Sequence, residues 1–167
     1  MKKKLYIETS VWNQLEHDDR PDWKETAEKF FDALLAEAYE PYISSVVIDE
    51  IEATSDPHLQ ARLIEHVNRI EPVLLDFDAE ALDLTNQYIL SEFKENKSRR
   101  VYNDCRHVAV TTVNGIRHII SYNCKHLVND RRIDGFNAIN IRNGYDLMID
   151  ISTPHKFVIT DENEDDV

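Results

Sequence analysis

Short apolar segments alternate along this chain with longer segments in which apolar residues recur at helical spacing. The short segments are rich in branched and aromatic side chains, as buried strands are, and lie at residues 5–7, 42–44, 73–75, 118–121 and 138–141. Alternation of strands and helices favours a parallel sheet. Each helix then lies in a right-handed connection between two strands and covers one face of the sheet. We therefore predict an α/β fold, a three-layer α/β/α sandwich whose central parallel sheet has four to five strands.

The helical segments are bounded by residues that commonly cap helices. We predict helices at residues 10–17, 23–39, 46–52, 57–70, 78–93 and 101–114. Asp22, Ser45 and Asp56 can each cap the helix that follows, and Gly115 can end the last of them. Residues 144–158 are expected to form an extended C-terminal segment that packs on the domain.

The length of 167 residues suits one domain with a substantial core, which we place at residues 1–158. Residues 159–167 contain five acidic side chains and are expected to be a disordered tail. The sequence contains neither a span apolar enough to cross a membrane nor a signal peptide, so we expect a soluble cytoplasmic protein. Two cysteines are too few for a disulfide framework and agree with a reduced compartment.

The net charge of −13 argues against a generally basic surface that grips nucleic acid. Basic residues nevertheless cluster just before the segment at 101–114, at Lys94, Lys97, Arg99 and Arg100. Two interpretations stay open for this cluster. It is either a solvated loop or a set of contacts to phosphate groups.

Acidic side chains follow the predicted strands at places where such a fold brings loops together. Glu8 comes directly after the first strand, Glu50 lies in the helix after the second, and Asp104 lies near the start of the helix before the fourth. Asn123 follows the fourth strand. Because ligands of open α/β sheets bind at the carboxyl ends of the strands, these four residues form a candidate site. Each of them, taken alone, could also be a helix cap or a surface acid.

Clustered carboxylates raise each other's pKa, so a divalent cation is a natural resident among them. Oxygen ligands favour Mg²⁺ or Mn²⁺, and we assign Glu8, Glu50 and Asp104 as metal ligands. Thr9 and Ser10 are expected either to orient the carboxylates from behind or to cap the next helix.

Four stretches of the chain resemble the motif regions of PIN domains, the fold of VapC-like toxins. They are residues 5–13, 45–52, 103–114 and 121–127, and the resemblance extends over most of the chain. A late stretch with Gly144-Tyr145-Asp146 and Ser152-Thr153-Pro154 is similar to one PIN subgroup. Glu50 matches the second-motif glutamate, and Asp104, in Asp104-Cys105-Arg106-His107, matches the third-motif aspartate. At the other two positions the chain has Glu8 where the family usually has aspartate, and Asn123 as the fourth polar residue.

The resemblance implies a ribonuclease that uses Mg²⁺ or Mn²⁺ to hydrolyse RNA phosphodiesters. Glu8, Glu50 and Asp104 would hold the metal, Asn123 would assist, and Lys97, Arg99 and Arg100 would contact RNA phosphates. It also implies a small antitoxin protein as partner, and a homodimer.

Two Cys-x-His units offer a competing zinc site, at Cys105/His107 and Cys124/His126. In a helix, residues two positions apart face different sides, so Cys105 and His107 cannot bind one ion together. We therefore predict that Cys105 is a core residue and that His126 is a surface or phosphate-contacting residue.

Two other functions remain open at this level. Glu8 and Asn123 also fit a catalytically weakened PIN-like domain that binds RNA or a protein without cleaving it. A metal-dependent phosphatase on a similar sheet is less well supported, because the first strand is not followed by an Asp-x-Asp motif.

Overall fold

The computed structural model describes residues 1–95 and 98–158, and it contains a parallel five-stranded sheet. The strands are β1 (Lys4–Ile7), β2 (Glu40–Ser44), β3 (Val73–Leu75), β4 (His118–Ile120) and β5 (Asp150–Ser152). The helices of the first half are α1 (Thr9–Gln14), α2 (Pro21–Leu35), α3 (Ser45–Glu52) and α4 (Pro57–Ile70). Those of the second half are α5 (Ala79–Glu92), α6 (Arg99–Val113) and α7 (Asp130–Arg142), and a 3₁₀ turn covers Pro154–Phe157.

The sheet has the order β3-β2-β1-β4-β5, with β1 at its centre. All four strand pairs are parallel, and the register places Ile7 beside Ile120. Helices cover both faces, so the predicted three-layer α/β/α sandwich is confirmed. Since β1 and β4 are neighbours, the residues that follow Ile7 and Ile120 emerge side by side at the carboxyl edge of the sheet.

The core is built on β1, whose residues Leu5, Tyr6 and Ile7 are fully buried. The largest buried aromatic side chains around it are Trp12, Phe30, Tyr88 and Phe136. A strand buried on both faces has apolar residues throughout rather than in alternation, which is why this short segment could be recognised from the sequence. The rigid centre of the domain therefore lies directly behind Glu8.

The prediction of a strand at residues 138–141 is wrong, because these residues belong to α7. Asn129 caps this helix, and its buried residues include Phe136, Asn137 and Asn140, at helical spacing. Four residues are too few to separate a helical from an extended pattern, and the tertiary contacts of Asn140 with Tyr88 and Thr112 decide the outcome. The fifth strand is instead Asp150–Ser152, inside the segment predicted to be merely extended.

Several predicted helix boundaries also need correction. Ser44, not Ser45, caps α3, and its hydroxyl accepts a hydrogen bond of 3.1 Å from the Val46 backbone N–H. Asp22 lies within the first turn of α2, which begins at Pro21. Arg99 and Arg100 are the first residues of α6, so the basic cluster is not a loop throughout.

Two sequence predictions fall outside the residues that the structure describes. They are the acidic tail at 159–167 and the phosphate contact assigned to Lys97. Among the described residues, no helix is long and apolar enough to cross a membrane.

Candidate active site

Glu8 is held rigidly where β1 ends, and its side chain is almost completely buried. The Glu8 Oε2 atom accepts hydrogen bonds from the Ser10 backbone N–H at 3.1 Å, from the Ser10 hydroxyl, and from the Ser121 hydroxyl at 2.8 Å. Glu8 is therefore also the N-cap of α1. One carboxylate oxygen is fixed by the protein, which leaves Oε1 directed toward the interior of the site.

Glu50 approaches from α3, and about a quarter of its side chain is exposed. Its Oε1 atom accepts a hydrogen bond of 2.8 Å from the Thr9 hydroxyl. Of the two roles predicted for Thr9 and Ser10, that of helix cap is wrong, because Glu8 caps α1 and both residues lie inside this helix. Each of them instead contacts one of the two glutamates. The carboxylates of Glu8 and Glu50 face the same space at the edge of the sheet.

His107 lies between these two carboxylates, and the sequence analysis did not assign it to the site. Its imidazole is fully buried, its Nε2 contacts Glu50 Oε1, and Nε2 is 3.9 Å from Glu8 Oε1. On the other side of the ring, Nδ1 is 2.6 Å from the Tyr6 hydroxyl, which is 2.8 Å from the Ser44 hydroxyl. The sequence does contain a signal for this role of His107. It follows Asp104 by three positions, and residues with this spacing share one face of a helix.

The charges of this group are strongly coupled. Burial alone would lower the pKa of His107, but the hydrogen bond and negative charge of Glu50, with the charges of Glu8 and Asp104, raise it. Burial acts to raise the pKa of Glu50, yet its contacts with His107 and Thr9 leave that pKa below its usual value. In the absence of any metal, a protonated His107 is thus the local counter-charge for the glutamates.

Asp104 is buried in α6 beside this group, but its oxygens are taken up by other partners. Oδ1 accepts a hydrogen bond of 3.1 Å from the Asn123 side-chain amide, and Oδ2 is 3.1 Å from His126 Nδ1. Burial first, and then the negative charges of Glu8 and Glu50, raise the pKa of Asp104 to about 7. Its placement as a metal ligand stays a prediction.

Asn123 reaches the site, but with its amide nitrogen toward Asp104. The Asn123 Oδ1 atom accepts a hydrogen bond of 3.2 Å from the His126 backbone N–H. The Asn123 backbone N–H in turn donates to the Ser121 hydroxyl at 2.9 Å. In this arrangement Asn123 orients Asp104 and the loop after β4.

Of the two roles predicted for His126, that of a surface residue is wrong, because its side chain is mostly buried against Asp104, whereas contact with phosphate stays a prediction. Burial, and then the positive charges of Lys125, Arg100 and Arg132, lower the pKa of His126. Cys105 is fully buried in the core as predicted, whereas Cys124 is exposed. In the described part of the chain, the side chains close enough to hold one metal ion include neither cysteine.

The basic residues form a rim on the α6 side of the site. Arg99 and Arg100 are exposed in the first turn of α6, and Lys125 is exposed in the loop after β4. Arg132 is half-buried, with its guanidinium 4.2 Å from the centre of the Phe93 ring. This rim places positive charge next to Asp104 and His126, although the chain as a whole is acidic.

The donor atoms at the centre of the site suit a divalent cation. One ligand atom each from Glu8, Glu50 and His107 lie within 4.8 Å of one another. Carboxylates and imidazole are common ligands of divalent ions, and a cation there would relieve the repulsion between the acids.

No protein-family model matches the sequence. No curated protein sequence matches it either.

Solved structures do match this chain. VapC20 of Mycobacterium tuberculosis, a toxin that cleaves the sarcin–ricin loop, is 15% identical, with 84% of this chain and 95% of that chain covered and a TM-score of 0.54. FitAcB from Neisseria gonorrhoeae is 13% identical, with coverage of 90% and 98% and a TM-score of 0.53. VapBC2 from Rickettsia felis, bound to a DNA fragment from its promoter, is 16% identical, with coverage of 89% and 98% and a TM-score of 0.54. Identity this low shows a common fold and no more, and the protein therefore has the VapC-like PIN-domain fold that its sequence predicts.

Proposed function

We propose that the protein is a metal-dependent endoribonuclease of the PIN type that hydrolyses RNA phosphodiesters. The observation that carries this proposal is the convergence of the buried Glu8 and the partly buried Glu50 carboxylates at the carboxyl edge of β1, with Asp104 beside them. Structural proteins have no evident need for three acids in such a place, because buried like charges destabilise one another. A cation-dependent reaction provides a reason to keep them.

In this proposal Glu8, Glu50 and Asp104 hold Mg²⁺ or Mn²⁺. When bound, such an ion lowers the pKa of water and offsets the charge of the phosphodiester. Ser10 and Ser121 fix Oε2 of Glu8, so this carboxylate needs little rearrangement. Without a cation, burial and the charges of Glu8 and Glu50 raise the pKa of the Asp104 carboxyl to about 7, so binding of the ion would also release protons from the acid cluster.

RNA reaches the site over the basic rim. Of the three residues predicted to contact RNA, Arg99 and Arg100 lie in the part of the chain that the structure describes. Lys125 adds a third exposed cation on this side of the site. Positive charge on this side attracts the RNA backbone, and the acidic remainder of the surface disfavours other orientations.

The protein acts in the cytoplasm, where its RNA substrates are. We further propose that it is the toxin of a toxin–antitoxin pair, inhibited by a small antitoxin protein, and that it forms a homodimer. This part is supported by the fold that the chain has in common with FitAcB and VapBC2. Growth arrest on expression, relieved by a small protein encoded next to it, is the expected result, and a dimer is expected by light scattering.

The direct test of the enzyme is cleavage of a mixed RNA pool with added Mn²⁺ by the native protein and by Glu50→Gln. The adjacent Asp49→Asn is a matched control, because Asp49 is exposed on the same helix and pairs with Arg106 at 3.2 Å. We expect native cleavage, a loss of about 100-fold or more in Glu50→Gln, and nearly unchanged rates in Asp49→Asn. Equal activity in all three proteins would contradict the assignment.

A second candidate function is a weakened PIN-like domain that binds RNA or a protein without cleavage. The orientation of Asn123 favours it, because the side-chain oxygen that could assist a metal is turned to the His126 backbone N–H. An intact fold that binds RNA, with no cleavage under any divalent ion, is the result expected from this alternative.

Charge reversal on the basic rim is expected to weaken RNA binding rather than the chemical step. Arg99→Glu and Arg100→Glu should each raise KM several-fold to about tenfold, leave kcat within about twofold, and reduce the dependence of KM on salt. The control is Lys2→Glu, since Lys2 is an exposed cation that precedes β1 and thus lies toward the opposite edge of the sheet. A change in kcat with constant KM would show that the two arginines have another role.

A further inference from the structure

The imidazole of His107 has the position of a metal ligand. Its Nε2 atom contacts Glu50 Oε1 and is 3.9 Å from Glu8 Oε1, and the three residues offer ligand atoms within 4.8 Å of one another. An ion that binds three donors at about 2.1 Å holds them about 3 Å apart, so small side-chain movements would suffice here. The geometry points toward one shared ion at the centre of this group.

The far side of the imidazole is fixed as it is in many metal-binding histidines. A ligating histidine commonly donates its other N–H to a partner that fixes the orientation of the ring. Here Nδ1 is 2.6 Å from the Tyr6 hydroxyl, and that hydroxyl is 2.8 Å from Ser44 Oγ. With Nδ1–H donating to Tyr6, and Tyr6 donating to Ser44, Nε2 faces Glu8 and Glu50, and a cation that displaces the Nε2 proton would meet the lone pair of this atom.

Tyr6 and Ser44 are themselves rigid. Both are fully buried, Tyr6 in the central strand and Ser44 at the end of the neighbouring strand, where it also caps α3. A histidine that merely filled the core would not need two aligned hydroxyl groups behind it and two carboxylates in front. Ser44, Tyr6 and His107 thus form a chain of contacts that runs from the interior of the sheet to the Glu8 and Glu50 carboxylates.

Asp104 leaves room for a nitrogen ligand. Its two oxygens are engaged by Asn123 and His126, each at 3.1 Å. The third donor that directly adjoins the two glutamates is therefore an imidazole and not a third carboxylate.

We propose that His107 Nε2 binds the metal directly, so that the site has two carboxylates and one imidazole and prefers Mn²⁺ to Mg²⁺. The inference rests on the proposed nuclease function, places His107 where that proposal has Asp104 as the third ligand, and adds an ion preference. Imidazole nitrogen suits transition-metal ions, whereas Mg²⁺ strongly prefers oxygen. The competing account is that a protonated His107 replaces the metal as the counter-charge of Glu8 and Glu50.

Pulsed electron paramagnetic resonance of Mn²⁺ bound to the full chain tests this without measuring activity. A directly bound imidazole gives ¹⁴N modulation of the Mn²⁺ signal, and this modulation changes to the ¹⁵N pattern when the protein is grown with ¹⁵N-histidine. We expect both results for the native protein. Absence of nitrogen modulation would overturn the proposal, and cleavage by the same preparation would show that the nuclease assignment survives it.

Two variants identify the histidine. His107→Gln is expected to lose the nitrogen modulation and to bind Mn²⁺ at least about tenfold more weakly, with a smaller change for Mg²⁺. His126→Gln is the matched control, because His126 contacts Asp104 and not the two glutamates, and it should keep the modulation. Modulation that persists in His107→Gln, or disappears in His126→Gln, overturns the proposal. If His107→Gln does not fold, the labelled native protein and His126→Gln still decide the question.

No Mn²⁺ binding at all, with an intact fold, would overturn both this inference and the metal-dependent function. That outcome would favour protonated His107 as the resident counter-charge. The ratio of Mn²⁺ to Mg²⁺ affinity is a further readout: we expect a ratio well above one in the native protein and a lower ratio in His107→Gln.

Discussion

Asp104→Asn is expected to make the metal-free protein more stable at about pH 8 while removing most of its cleavage activity. The pKa of the Asp104 carboxyl is raised to about 7 by burial and by Glu8 and Glu50, whereas in the unfolded chain it has its usual value near 3.8. At a pH between these two pKa values, Asp104 keeps its proton in the folded protein and loses it in the unfolded chain. Stability therefore falls as pH rises through this window, by up to about 4 kcal/mol.

Asparagine removes this charge and nearly preserves the shape of the side chain. In chelator-treated protein we expect Asp104→Asn to gain about 2 kcal/mol at pH 8, or about 5 °C in Tm, and the gain should shrink toward zero near pH 4. Asp49→Asn is the control and should change Tm little at either pH. Equal Tm values of Asp104→Asn and native protein at every pH would contradict the burial of an unfavourable charge at Asp104.

Added Mn²⁺ should reverse the order of the two proteins at neutral pH. A cation that binds only the folded state stabilises it, and the native acid cluster should bind it more tightly than the variant does. The same substitution is expected to reduce RNA cleavage by about 100-fold or more, because it removes one of the three acids of the proposed site. Greater stability with lower activity is what a functional acid cluster predicts.

Glu8→Asp is expected to lower cleavage by about 100-fold, although aspartate is the residue that the PIN resemblance suggests here. The Glu8 carboxylate reaches the hydroxyls of Ser10 and Ser121, and Oε1 faces His107. Removing one methylene withdraws the carboxylate by more than about 1 Å from all three partners, and errors of this size are costly in an active site. The measurement is kcat/KM for RNA cleavage with saturating Mn²⁺.

Ser121→Ala is the matched comparison, because it keeps the length of Glu8 and removes one of its hydrogen bonds. We expect a smaller loss of about tenfold. A gain of activity in Glu8→Asp would instead support the alternative in which glutamate has weakened an ancestral site. The two accounts thus differ in the sign of the effect.

The sequence predicted the parts of the site that local patterns determine. Glu8 could be placed because a buried strand ends directly before it, and Glu50 because a short strand leads into its helix. Strand ends of a parallel sheet meet at one edge, so the approximate neighbourhood followed without coordinates. The same reasoning gave the layer architecture.

The parts that depend on long-range contacts could not be predicted. The role of His107 depends on Tyr6, which is 101 positions away in the sequence. The orientation of Asn123 depends on Asp104 and on the loop that contains His126. Residues 138–141 were misassigned for a similar reason, since the buried contacts of Asn140 with α5 and α6 stabilise the helix at this position.

The most direct test of the central claim is the fate of solvent oxygen during RNA cleavage. The proposed function makes water the nucleophile, not the 2′-hydroxyl of the RNA. Cleavage of an RNA pool with Mn²⁺ in H₂¹⁸O should give products whose terminal phosphate carries one ¹⁸O atom, and Glu50→Gln should give almost none of these products. Products that end in a 2′,3′-cyclic phosphate without ¹⁸O, or no Mn²⁺-dependent cleavage by the folded native protein, would contradict the account.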